Sequence, residues 1–205
     1  DNFENDQFRF GFAKFITISG IKIWTQRLSY VGELGYELYT DLKDAKKIYE
    51  LLIEKGKDFN LSNCGMHAMD IMRMESGFLH WGHDISPEEN QYQAGLAFTI
   101  SNKKDVDFIG KLALEKIKQN KVRTRFSMFT LKESEPGKPL LLHDEPIYID
   151  DKIIGRSTSG NYSFNFKKNL VFGYINNDLS NEELQNKNLF ICLLYTSDAA
   201  DEGFC

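Results

Sequence analysis

Apolar and polar residues alternate with a period of two near the beginning of the chain. In FAKFITISGIKIWTQRLSYV, residues 12–31, β-branched and aromatic residues recur at nearly every second position, and Ser19-Gly20 interrupts them. This pattern predicts a strand, a turn and a second strand. The chain stays β-like over residues 27–31 and again over 36–39, with GELG between them. Glycine permits positive φ and close approach, so we expect a tight connection at GELG.

Spacings of three and four residues then replace the alternation and predict a first helix in LKDAKKIYELLIEKGKDF. We expect Asp41 as its N-cap and Gly56 as its stop. The residues expected to face inward are Leu42, Ala45, Ile48, Tyr49, Leu52 and Ile53.

Two further segments have helical spacing. GMHAMDIMRMESG predicts a helix with Met66, Met69 and Met72 inward as core residues and Gly77 at its C-terminal end. DFIGKLALEKIKQNK predicts a helix opened by Asp107.

From Val122 onward the chain is predicted to be nearly all β, and one short strand is predicted before the third helix. QAGLAFTI predicts a short strand, VRTRFSMFTL alternates with period two, and EPIYIDDKIIGRSTS predicts a hairpin turning at Asp150-Asp151. NLVFGYI predicts a further strand, and TSGNYSFN, residues 158–165, is interpreted as a polar turn. The fold class is therefore α+β, with domains expected over 1–120 and 121–191.

Composition narrows the function classes. The chain has 205 residues, a net charge of −5 and no run of eighteen apolar residues, so we expect neither a nucleic-acid surface nor a membrane span. Residues 192–205 contain no Lys or Asn, and CLLYTSDAADE is similar to one translated frame of a sequencing adapter, so we interpret 192–205 as a non-native tail. Cys64 is then the single cysteine, which favours a reducing, cytoplasmic location.

Glu37 is the first candidate for chemistry. Period two puts Glu37 and Tyr39 on one face, and Tyr36 and Leu38 on the other. An ionised carboxylate accepts two parallel hydrogen bonds from a planar N–H/NH₂ edge, as offered by a guanidinium or a pterin. The alternative is a hairpin whose Glu37 faces solvent or pairs with a lysine.

Other catalytic and metal motifs give weaker signals. Cys64 and His67 are spaced C-x-x-H, and His80 and His83 are spaced H-x-x-H, but two such pairs do not match a usual zinc pattern, so we predict no metal site. The sequence contains neither G-x-S-x-G nor GxGxxG, and Cys64 lacks the flanking pattern of a catalytic cysteine.

Five motifs in order resemble the aminomethyltransferase family, which includes the glycine cleavage T-protein. They are SYVGELGYELY, GMHAMDIMRMESGFLHWGHD, QAGLAFTI, DFIGKLALEK and GRSTSGNYSFNFKKNLVFGYI. The HWGHD loop and the STSGNYSFNFKKNL phrase look more like the folate-binding region of dimethylglycine and sarcosine dehydrogenases. Gln93 departs from the glutamate that the family often has before Ala-Gly-Leu.

The resemblance implies a partial aminomethyltransferase fold, with an α/β folate-binding domain followed by a truncated C-terminal β-barrel. It implies tetrahydrofolate as cofactor, contacted by Tyr30, Glu37, Leu38 and Tyr39, with Glu37 on the pterin edge and Trp81 as a pocket wall. It also implies that FAD, an upstream FAD module and a first folate-binding domain belong to the full-length protein. The substrate would be an iminium derived from an N-methyl amine.

The same resemblance places the catalytic Asp upstream of this chain, so we assign no catalytic residue here. Three interpretations stay open at this point. The chain is part of a dimethylglycine or sarcosine dehydrogenase-like flavoenzyme, part of a standalone aminomethyltransferase or demethylase of the same fold, or a non-catalytic folate-binding module.

Overall fold

A computed structural model describes residues 2–101 and 106–192, and the chain packs as two compact units, residues 1–78 and residues from Leu79 onward. Both units combine helices with antiparallel sheet, which confirms the α+β fold class. The domain division at residue 120 stays a prediction. The interpretation of the tail falls mainly on residues 193–205, which lie outside the described residues.

The first unit is built on a three-stranded antiparallel sheet in the order β1-β2-β3. The strands are β1 (Ala13–Ile18), β2 (Ile21–Gln26) and β3 (Glu37–Tyr39). Ser19 and Gly20 both have positive φ, at 48° and 79°, as a two-residue hairpin turn matching the strand twist requires. The predicted hairpin is therefore confirmed.

The segment 27–31, which we expected to be β-like, forms no strand. Gly32 adopts a φ of +75° and packs so tightly on the second helix that an added Cβ would lie 2.1 Å from the Ser76 hydroxyl. That hydroxyl also donates a hydrogen bond to the Val31 carbonyl at 3.0 Å. The loop is thus held by the helix end instead of pairing along the sheet.

The first helix, α1 (Leu42–Gly56), begins after Asp41 and ends at Gly56, as predicted. Ile48 is its buried residue and packs in a core with Ile16 and Ile23. The predicted inward face is wrong in part, because Leu42, Tyr49 and Leu52 are exposed. A sheet of three short strands offers apolar contact to only a narrow stripe of this helix.

The second helix, α2 (Met66–Glu75), has the predicted C-terminus. Gly77, at φ +74°, donates to the Met74 carbonyl, and Phe78 donates to the Arg73 carbonyl, which is a Schellman motif. The expected core position of Met66 is wrong, since Met66 is 71% exposed and Met74 is fully buried instead. Arg73 is also buried.

The second unit contains a five-stranded antiparallel sheet in the order β4-β7-β6-β5-β8. Its strands are β4 (Thr124–Thr130), β5 (Pro146–Ile149), β6 (Lys152–Ser163), β7 (Lys168–Asn176) and β8 (Leu189–Ile191). Helices α3 (Lys111–Gln119) and α4 (Asn181–Asn186) accompany it. The core contains Ile147, Ile149, Ile154 and Ile175. The alternating segment after Val122 and the hairpin at Asp150-Asp151 are confirmed.

Three local predictions in this unit are wrong. QAGLAFTI is a turn followed by a short 3-10 helix, because Gly95 adopts φ +72° and breaks extension. Helix α3 begins after Gly110, not at Asp107, since Gly110 has φ +92°. Most of TSGNYSFN lies inside β6, and the turn follows Ser163.

Candidate ligand-binding site

The solvent-facing side of the first sheet carries a row of three aromatic residues, one from each strand. Phe15 lies opposite Trp24, and Trp24 lies opposite Tyr39. The rings of Phe15 and Trp24 meet edge to face, with centroids 4.8 Å apart. Phe15 is 54% exposed and Tyr39 50% exposed, so the row is an accessible apolar surface on the face away from the Ile16–Ile23 core.

A polar row lies beside the aromatic row on the same face. Gln26 is the register partner of Glu37, and each is two residues from a member of the aromatic row along its own strand. Directly opposite residues have Cβ atoms about 4.5–5.5 Å apart, so the amide and the carboxylate stand side by side. Glu37 is exposed and Gln26 is half-buried.

Tyr39 and Glu37 contact each other directly. The Tyr39 hydroxyl donates a hydrogen bond to Glu37 Oε2. This bond, with smaller contributions from burial and from the Glu37 charge, raises the pKa of Tyr39 above its usual value. A carboxylate has about four acceptor positions. One donor therefore leaves Glu37 able to accept further N–H groups.

The five residues that the resemblance assigns to folate have different surroundings. Glu37 and Tyr39 lie together, whereas the Leu38 side chain packs on the opposite face against the core. Tyr30 lies in the loop after β2, with its ring nearly parallel to that of Phe78 at 6.1 Å. Trp81 belongs to the second unit and is 65% exposed. Their roles in ligand binding stay predictions.

Phe15, Trp24 and Gln26 are site candidates that the sequence analysis missed, although the signal for them is in the sequence. A two-residue turn at Ser19-Gly20 fixes Ile18 opposite Ile21 and, by counting back, Phe15 opposite Trp24. The pairing of Gln26 with Glu37 could not be counted, because a ten-residue loop separates their strands.

The second unit contains a buried polar network centred on Asp84, in the HWGHD loop. Asp84 is fully buried, and its Oδ1 accepts hydrogen bonds from Thr158 Oγ1 at 2.5 Å and from Ser159 Oγ at 2.8 Å. Its Oδ2 accepts from the backbone N–H of His80 at 2.9 Å. This carboxylate therefore ties the loop that carries Trp81 to strand β6.

Tyr174 completes this network from strand β7. Its hydroxyl donates to the Asp84 carbonyl oxygen at 2.8 Å. Burial, followed by the charges of Glu89 and Asp84, raises the pKa of Tyr174 well above its ordinary value. Tyr174 is therefore a neutral hydrogen-bond donor over the ordinary pH range.

Gln93 joins the segment before α3 to the sheet. Its Nε2 donates to Thr124 Oγ1 at 2.9 Å, while its Oε1 accepts from the Asn90 side chain at 2.5 Å. Gln93 therefore uses both ends of its amide group, with the NH₂ group as donor and the carbonyl oxygen as acceptor.

The histidines of the HWGHD loop lie close together. The ring centroids of His80 and His83 are 4.6 Å apart, and that of His143 lies 6.2 Å from His83. Within residues 2–101 and 106–192, no group of three or more His, Cys, Asp or Glu side chains could hold a metal ion. The same residues include no helix long and apolar enough to cross a membrane.

Comparison with known proteins matches both units. The family model described as GCVT N-terminal domain matches residues 1–104, and the one described as glycine cleavage T-protein C-terminal barrel domain matches residues 125–187. Mitochondrial dimethylglycine dehydrogenase of Homo sapiens is 33% identical over 88% of this chain. The formaldehyde-forming 4-methylaminobutanoate oxidase of Paenarthrobacter nicotinovorans is 38% identical over 79% of it. The chain spans only 20% and 19% of these two proteins.

A solved structure gives the same fold. The glycine cleavage system aminomethyltransferase T from Bartonella henselae superimposes with a TM-score of 0.67 and 22% identity, over 75% of this chain and 42% of that one. The two family models together match most of the residues that the structure describes. The chain belongs to the glycine cleavage T-protein (aminomethyltransferase) family.

Proposed function

We propose that this chain is part of the tetrahydrofolate-binding region of an enzyme that moves a one-carbon unit from an N-methyl amine to tetrahydrofolate. The observation that carries the proposal is the exposed carboxylate of Glu37, placed beside an aromatic row on one face of a sheet. A flat heteroaromatic ring with an N–H/NH₂ edge needs these two features together.

The residues present fit such a ring. The Glu37 carboxylate accepts hydrogen bonds and bears a charge that favours N–H donors, while Tyr39 holds one of its oxygens and restricts its orientation. The aromatic row supplies an apolar surface against which a planar ring can lie. Bound tetrahydrofolate would supply the nitrogen nucleophile that accepts the one-carbon unit.

The names of the relatives support the substrate class. Dimethylglycine and 4-methylaminobutanoate are both N-methylated amino acids. Since the chain spans about a fifth of these proteins, the FAD module, the first folate-binding domain and the catalytic Asp are proposed for other parts of the full-length enzyme. The cytoplasmic location also stays a prediction, and the human relative is named as mitochondrial.

A second candidate function is oxidative demethylation without transfer to folate. The name of the Paenarthrobacter relative, which forms formaldehyde, favours it. In that case the same fold would release the carbon unit instead of passing it to a bound acceptor. Binding of tetrahydrofolate to the full-length enzyme separates the two candidates.

The test is the substitution Glu37→Gln, followed by calorimetric titration with tetrahydrofolate. Losing the charged acceptor should weaken binding by about 1–3 kcal/mol, the usual cost of a mismatched hydrogen bond to a charged group. Glu33→Gln is the matched control, because it removes the same charge from an exposed position in the preceding loop. Equal affinity of the Glu37→Gln variant and the wild type would remove Glu37 from the site.

A further inference from the structure

Gln26 is placed to take part in ligand recognition together with Glu37. The two residues are register partners on adjacent antiparallel strands, so their side chains leave the sheet on the same face. Trp24 and Tyr39, also register partners, lie one step along the same strands. A ring resting on this aromatic pair therefore points one edge at both Gln26 and Glu37.

The distances along the strands suit a two-ring heterocycle. Successive residues on one face of a strand are about 6.5–7 Å apart, which is roughly the spacing between the aromatic row and the polar row. A planar bicycle lying on Trp24 and Tyr39 can therefore reach the polar row with its edge. Hydrogen bonding along that edge then discriminates between related rings.

The two polar side chains have different hydrogen-bonding capacities. Ionised Glu37 only accepts, whereas the Gln26 amide also donates through its NH₂ group. The Gln26 side chain forms no hydrogen bond with any other residue that the structure describes, so its amide is available to a ligand. A carboxylate next to an amide donor is complementary to an edge that presents N–H donors followed by a carbonyl oxygen.

We propose that Gln26 is a specificity-determining residue that donates its amide N–H to the carbonyl oxygen at position 4 of a 2-amino-4-oxo-pteridine, while Glu37 accepts from the adjacent N–H and NH₂ groups. This inference rests on the proposed function. It adds that the site distinguishes a 4-oxo ring from a 4-amino ring, and that Gln26 makes the distinction.

The experiment compares two probes, a 2-amino-4-oxo-pteridine and the matching 2,4-diamino-pteridine, by calorimetric titration of the full-length enzyme. Gln26→Glu replaces the donor with a second carboxylate, which repels a carbonyl oxygen and accepts from an amino group. The ratio of 4-oxo to 4-amino affinity should fall at least about tenfold, within the range for one charged mismatch. Gln26→Leu, which adds no charge, should reduce the ratio less.

Thr17→Glu is the matched control. Thr17 lies on the same face as Trp24 but on the side away from Gln26, so this substitution adds the same charge outside the proposed contact. Its affinity ratio should equal that of the wild type. Circular dichroism checks that each variant is folded, and if Gln26→Glu is not, Gln26→Leu provides the comparison.

The outcomes separate the inference from the proposed function. If the wild type binds the 4-oxo ring and Gln26→Glu leaves the ratio unchanged, the role of Gln26 is refuted and the folate proposal stands. A ratio that falls equally in Thr17→Glu also refutes it, because the effect would then be long-range charge. If the wild type binds neither pteridine, the proposed function fails and the inference fails with it.

Discussion

Asp84→Ala is expected to destabilise the second unit strongly. Asp84 is fully buried and joins the HWGHD loop to strand β6, across 74 residues of chain. Alanine removes the acceptor of three hydrogen bonds, from Thr158, Ser159 and the His80 N–H. All three donors would then be left in a protein interior with their main acceptor gone.

The magnitude follows from these three bonds. A hydrogen bond to a charged group contributes about 1.5–3 kcal/mol, and a buried unsatisfied donor costs about 1–3 kcal/mol. Two effects reduce this loss. The hydroxyls of Thr158 and Ser159 can rotate towards other acceptors, and the desolvation cost of burying the Asp84 carboxylate is no longer incurred. Three donors at about 1–3 kcal/mol each, reduced by these two effects, give an expected net loss of about 3–5 kcal/mol. Thr158→Val, which removes one donor, should lose about 1–1.5 kcal/mol.

The assay is urea unfolding followed by the fluorescence of Trp81, which lies in the tethered loop. Trp24→Phe removes the other tryptophan, so the signal reports on the second unit alone. Asp144→Asn is the control, since the Asp144 side chain is 60% exposed, its ion pair with Arg156 contributes at most about 1 kcal/mol, and asparagine tolerates the positive φ of this position. A loss below about 1 kcal/mol for Asp84→Ala, or one no larger than that of the control, would refute this account of the network.

Two smaller predictions concern packing and pH. In Gly155→Ala the new Cβ would lie 2.0 Å from a carbonyl oxygen of strand β7, so the thermal midpoint should fall by the equivalent of about 1–3 kcal/mol. Gly65→Ala is the control, because no atom lies near the added Cβ and the thermal midpoint should change little. The hydrogen bond with His143, and then Arg156, lower the pKa of Asp144 below its usual 3.8. A carboxyl group whose pKa is lower in the folded state than in the unfolded state stabilises the fold at pH values above its unfolded-state pKa. The free energy of unfolding of the wild type should therefore exceed that of Asp144→Asn at neutral pH, and the difference should disappear as the pH falls through the lowered pKa. An advantage that persists in acid would contradict this.

Local sequence signals predicted most of the helices and strands, but they failed where the backbone angles of single glycines set the end of an element. The Ser19-Gly20 turn and the Asp150-Asp151 hairpin follow from residue preferences that act over two positions. Gly95 and Gly110 adopt left-handed backbone angles that the sequence alone does not predict. Because of them, QAGLAFTI forms no strand and helix α3 begins later than predicted. A glycine is compatible with several conformations, and its neighbours in space select one.

Side-chain burial was also predicted unevenly. Helical spacing correctly put Ile48 inward, but it put Met66 inward as well, where the structure leaves it exposed and buries Met74. Periodicity identifies an apolar face without saying which part of that face another element covers. The extent of the facing sheet decides this, and it depends on residues far away in the sequence.

The sequence by itself determined the fold class, the family and the placing of Glu37 and Tyr39 on one face of a strand, because alternation and motif order are local properties of the chain. Only the tertiary structure decided which residues stand beside Glu37. The pairing of Gln26 with Glu37 depends on how a glycine-containing loop closes, and the contact of Asp84 with Thr158 depends on strand β6 packing against a distant loop. Neither arrangement repeats along the chain, so no pattern in the sequence encodes it directly.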